Sequence, residues 1–101
     1  MTMQITASRS YIEETVNAGA SKTIELPTAK PATVAVHPAT GGSVTVEFTV
    51  SSRERVDAST ARWIAWGKGT VSVPSADVFD GPVTAIRVTA TGAACVVEVQ
   101  Q

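Results

Sequence analysis

Leucine occurs once in these 101 residues, at Leu26. Leucine is an ordinary filler of apolar helix faces, so its scarcity excludes a helical bundle. Cysteine also occurs once, at Cys95, which excludes an internal disulfide. Cys95 falls within an alternating strand pattern, where a buried free thiol is expected. With a single histidine, His37, a metal centre would need several carboxylates converging from elsewhere. Charged residues make up 17%, against roughly 25% in typical soluble domains, and the net charge is −1. There is thus no basic field to hold a nucleic-acid backbone. No apolar run approaches the roughly 18 residues of a membrane span. The first residues, Met1 to Thr6, lack the basic start and long apolar stretch of a signal peptide. Folding in a reducing cytoplasm is therefore expected.

Valine and threonine are abundant, at fifteen and fourteen copies. Both carry two heavy atoms on Cβ, which restricts χ1 in a helix and suits a pleated strand. The composition predicts an all-β chain with at most one short helix: a small antiparallel β-sandwich or barrel, jelly-roll-like in form. The length suits one domain over 1–101, burying about 60–70% of its unfolded surface. No room remains for a second domain or a large enclosed active site. Residues 1–9 are expected to form either a short strand or an extended N-terminal arm. So little charge on so small a domain points to a component of an assembly.

The strands are punctuated by Gly, Pro, Asn and Ser. Ser10 to Val16 reads as a strand, and Asn17 to Ala20 as a turn. Lys22 to Leu26 alternates, with Ile24 and Leu26 on one face. Thr33 to Val36 is expected to form a hairpin with Ser43 to Val50, placing Val44, Val46, Phe48 and Val50 on one apolar face. A second hairpin is expected between Val83–Ala90 and a strand carrying Cys95, Val97 and Val99. Ala39-Thr40-Gly41 and Ala90-Thr91-Gly92 match at one constant spacing, which fits either a duplication or two solutions to one packing problem. Between the hairpins, Ser51 and Glu54 have capping-box spacing, predicting a short helix or a structured loop. Thr70 to Val73 reads as a strand, and Pro74 to Pro82 as an irregular connection.

No catalytic constellation is legible. None of the serines sits in a Gly-x-Ser-x-Gly elbow, and no base–nucleophile pair can be assembled around His37, which reads as an exposed turn residue. Glu13 and Glu14 are adjacent and so face opposite sides of a strand, while Asp77 and Asp80 lie in a turn-rich stretch. No calcium-loop or phosphate-loop pattern occurs. Neither a catalytic residue, nor a metal ligand, nor a cofactor is assigned. The partner-binding candidates are Trp63, Trp66, Arg62 and Lys68. On a strand, residues three apart face opposite sides, so one indole would enter the core and the other point outward beside Arg62 and Lys68. On a helical turn the two would share a face, and the simplest reading has both rings covering the end of the sandwich.

The string Ala61-Arg62-Trp63-Ile64-Ala65-Trp66-Gly67-Lys68-Gly69 is followed by Pro82-Val83-Thr84-Ala85-Ile86-Arg87-Val88 and ends in Gly92 to Gln100. This last third to half of the chain resembles small structural proteins of tailed bacteriophages, among them capsid decoration (cement) proteins, neck components and fibre knobs. The resemblance implies a non-enzymatic virion protein, with no catalytic residues to transfer. Its expected partners are the major capsid protein or other virion subunits, and further copies of itself, a trimer being the first candidate. Neither nucleic acid nor membrane is an expected partner. The alternative expectation is a receptor- or carbohydrate-binding β module, such as a fibre tip, stacking a sugar on Trp63 or Trp66. One asparagine and three glutamines supply few amides for a glycan site.

Overall fold

Alternating Val and polar residues place one apolar face on each extended segment, and two such faces bury one another. The computed structural model describes residues 10–101. In chain order these hold β1 Tyr11–Val16, β2 Ser21–Glu25, β3 Ala32–Pro38, β4 Ser43–Thr49, α1 Arg53–Asp57, β5 Ile64–Ala65, β6 Ser75–Phe79, β7 Ala85–Thr91 and β8 Cys95–Gln100. They form two four-stranded sheets, β1-β8-β3-β6 and β2-β7-β4-β5, with antiparallel pairing throughout. Except from β4 to β5, the chain changes sheet at every connection. Among the described residues the architecture is an eight-stranded sandwich of jelly-roll order. Val34, Val36, Val97 and Val99 of one sheet and Val44, Val46, Ile86 and Val88 of the other all lie in one buried cluster. Each fully buried valine contributes roughly 1.5–3 kcal/mol relative to an exposed one.

The two expected hairpins are therefore crossovers. β3 pairs with β8 and β4 with β7, so each chain reversal joins strands of opposite sheets. The turn residues do reverse the chain, with Gly41 at φ +85° and Gly92 at φ +82°. A turn signal specifies reversal, however, and not the pairing partner. Both flanking strands carry a valine-rich face, and crossing between sheets sets these faces against each other.

The alternation expected to run through Val50 also stops early. Val50 is 68% exposed, while Thr49 is fully buried. β4 ends at Thr49, which lies on the outer face of its sheet and is bonded to the main chain of Arg62. Phe48 is only partly buried and packs on Phe79, with ring centroids 4.9 Å apart. The connection expected over 74–82 contains β6, whose Ser-Ala-Asp-Val-Phe sequence hides its period. The strand expected over 70–73 is reduced to a single bridge between Val71 and Val44. Helix α1 is capped by Ser52, one residue after the expected Ser51. The arm expected over 1–9 lies outside the described residues.

Charges guard the sheet edges. Glu14 pairs with Val97 and Lys22 with Val88, so both charged side chains are on the core-facing sides of edge strands β1 and β2. They join across the open side of the sandwich, Lys22 Nζ lying 2.9 Å from Glu14 Oε1. On the opposite edge, Asp77 of β6 pairs with buried Val34 and likewise shares the inward side. Inward charges on edge strands disfavour strand addition by another chain.

Candidate partner-binding surface

Strand parity separates the two tryptophans. Ile64 pairs with Phe48 and Ala65 with Glu47, so Trp63 falls on the outer face of its sheet and Trp66 on the inner. Trp66 is 3% exposed, and its indole Nε1 donates to the Gly69 carbonyl at 2.7 Å. It closes the core and presents no face to a partner. Trp63 is half-buried on the outside, where the Arg87 guanidinium carbon lies 4.4 Å from its ring centroid. Arg87 in turn bonds Glu47, its Nε and Nη2 each 3.0 Å from Oε1.

The cation beside Trp63 is thus Arg87 of β7, which the sequence places only as an outward strand residue. Lys68 is not brought to the same place. Arg62 bonds Thr49 at one end of β4, whereas the Trp66 amide bonds Val46 and Val71 bridges Val44 near the other. Lys68 lies in the turn between these last two residues, towards the opposite end of the sandwich.

Two hydroxyls fix the main chain of Arg62. Thr49 Oγ1 donates to the Arg62 carbonyl at 2.7 Å and accepts the Ser51 amide at 3.1 Å. Ser51 Oγ accepts the Arg62 amide at 3.1 Å. Beside this clamp, Ser51, Ser52, Arg55 and Arg62 line a shallow cleft of about 310 Å³. Sequence reasoning missed Arg55 and the two serines, since nothing in the spacing says that α1 folds back beside Arg62. At the same end, Arg53 bonds Glu25 at 2.8 Å and also donates to the Leu26 carbonyl.

The outer face of the other sheet carries a second polar cluster. The Tyr11 hydroxyl lies 2.7 Å from both Glu13 Oε1 and Glu98 Oε2, and His37 Nε2 lies 2.6 Å from Glu98 Oε1. His37 is therefore a paired strand residue and not a turn residue. Hydrogen bonds from Tyr11, then His37, hold the Glu98 carboxyl below its ordinary range. The same carboxylates, Glu98 first and then Glu13, hold the Tyr11 phenol above its own. Every member of the cluster that titrates is already engaged by another, which describes a structural network.

Cys95 is buried, and desolvation raises its thiol above the ordinary value. Among the described residues no group of three or more His, Cys, Asp and Glu side chains converges on a metal position, and no helix is long and apolar enough to cross a membrane. Compared with models of known protein families and with curated protein sequences, the chain shows no significant match to either.

Proposed function

We propose that this chain is a non-enzymatic virion structural protein that decorates or cements a capsid by binding between its subunits. The observation that carries the reading is the jelly-roll sandwich in which three of the four edge strands, β1, β2 and β6, carry an inward charge, while large apolar side chains are left exposed at Val50 and Val73 and on the edge strands at Tyr11, Ile64 and Val78. Val50 and Val73 are 68% and 64% exposed and lie outside the strands. Inward charges on those three edges disfavour strand addition there and leave the ends, the faces and the short β5 edge for association. Jelly-roll sandwiches recur in viral capsid and lectin domains, an analogy of fold that adds weight to the resemblance of the last strands. A lattice offers many copies of one groove, so modest contacts gain from multivalency. The partners are the major capsid protein or a neighbouring virion subunit, and copies of the chain itself.

The competing carbohydrate-binding reading relies on an open indole. Trp63 is the outward one, but Arg87 already lies over its ring. The test is co-sedimentation of the purified chain with undecorated capsids, beside a glycan array. Binding to assembled lattices with poor binding to loose capsid subunits is the expected result. Glycan binding without capsid binding overturns the proposal in favour of the lectin-like reading.

A further inference from the structure

We infer that the cleft beside α1 is a seat for an oxyanion, specifically a carboxylate carried by a protein partner. Four side chains line it: Ser51, Ser52, Arg55 and Arg62. Arg53 and Arg87 are matched by Glu25 and Glu47, whereas Arg55 and Arg62 have no carboxylate partner among the described residues. The serine oxygens accept main-chain amides, Ser51 from Arg62 at 3.1 Å and Ser52 from Arg55 at 3.4 Å. Their hydroxyl protons have no acceptor among the described residues.

Three of the four main-chain carbonyls of these residues already accept hydrogen bonds. Ser52 O accepts the amides of Arg55 and Val56, Arg55 O accepts that of Thr60, and Arg62 O accepts the Thr49 hydroxyl. The cleft therefore offers two guanidinium forks and two hydroxyl protons, with these acceptors spent. A matching occupant must be rich in acceptors and bear negative charge, as an ionised carboxylate or a phosphate does. The main chain beneath the donors is fixed, while their guanidinium groups stay exposed. The Arg62 amide and carbonyl are held by Ser51 and Thr49, and the end of α1 is closed by hydrogen bonds from the Thr60 amide to Arg55 O and from the Ser59 amide to Val56 O.

Two observations select a protein carboxylate. The net charge is −1, so two isolated guanidinium groups suit a discrete anion better than a phosphate polymer, which needs an extended basic field. The chain also leads directly from Ser51 to exposed Val50, which lines a groove of about 360 Å³ where Pro27, Pro82 and Val83 form an apolar part beside Thr28, Arg53 and Thr84. A partner segment with an apolar side chain beside an Asp or Glu satisfies both depressions at once. The inference rests on the binding-protein reading for its choice of partner, and its test needs no capsid.

The experiment titrates the isotopically labelled full chain with a capped pentapeptide of four glutamates around one valine, and separately with inorganic phosphate. The Ser51 and Ser52 amide signals and the Arg55 and Arg62 Nε–H signals should shift saturably with the peptide. Because both arginine side chains are exposed and lack a carboxylate partner, Arg55→Gln and Arg62→Gln should keep the parent's folded spectrum. Each should weaken peptide binding about tenfold or more, while Lys68→Gln should stay within about twofold. Absence of saturable shifts, or shifts that neither arginine substitution weakens, overturns the seat. Phosphate saturating the same signals at a lower concentration than the peptide overturns the carboxylate assignment. Unchanged capsid binding by the Arg55→Gln/Arg62→Gln double variant overturns the seat's role as partner contact and leaves the virion reading standing.

Discussion

Gly41 and Gly92 lie against each other at one end of the sandwich, where a Cβ on Gly92 would stand 2.9 Å from the carbonyl oxygen of Gly41. Each ends one of the two matching Ala-Thr-Gly strings. Their turns join β3 to β4 and β7 to β8, and the pairing of β3 with β8 and of β4 with β7 brings them together. Gly92→Ala combines a left-handed φ with a backbone clash and should cost about 2–3 kcal/mol. Gly19→Ala, with φ +78° but open space around it, should cost only about 1 kcal/mol. Urea denaturation of the two variants separates the steric part from the conformational part.

Ser59 sits at φ +60° just after α1, where glycine is the usual residue. Ser59→Gly should therefore stabilise the chain by about 0.5–1 kcal/mol, seen as a higher denaturation midpoint with unchanged slope.

Thr49 is a buried hydroxyl with two main-chain partners, Arg62 O and the Ser51 amide. Thr49→Val keeps the shape and removes both bonds, which should cost about 1–3 kcal/mol. It should also loosen Arg62, so capsid co-sedimentation should weaken by more than it does for a distant variant of equal stability.

The Tyr11–Glu98 bond makes stability depend on pH at both ends. Glu98 titrates below its ordinary value, so its contribution is present above roughly pH 4.3 and is lost as pH falls further. Tyr11 titrates above its ordinary value, so its contribution is present below roughly pH 10 and is lost as pH rises further. The Tm deficit of Tyr11→Phe should be greatest between about pH 5 and pH 9 and narrow outside that window. A deficit that is flat from acid to alkaline pH would show that the hydroxyl packs without coupling to the carboxylate.

Glu14 and Lys22 close one open side of the sandwich at 2.9 Å. Replacing both with valine should leave the core folded and expose two uncharged strand edges. Sedimentation velocity should then show concentration-dependent association beyond that of the parent chain. Equal association in both would remove the guarding role.

Much of the core was legible because side-chain direction along a strand is a local property. The inner faces Val44/Val46, Ile86/Val88 and Cys95/Val97/Val99 follow from period two alone, and all are buried. The separation of Trp63 from Trp66 follows from the same parity only once β5 is known to be a strand, which the sequence left open against a helical turn. Phe48 and Val50 were overestimated because the period does not reveal where a strand ends. β6 escaped because Ser75, Ala76 and Asp77 carry little apolar contrast.

By itself, the sequence determined an all-β chain, the inward and outward sets of most strands, and the positions of reversal. Branched side chains and positive-φ glycines act within a few residues of themselves. Only the tertiary structure decided which strands pair, that Arg87 covers Trp63, that His37 meets Glu98, and that Arg55 and Arg62 share one cleft with two serines. Those relationships join elements across turns and between sheets. They are set by the burial of one valine face against another, which no local pattern encodes.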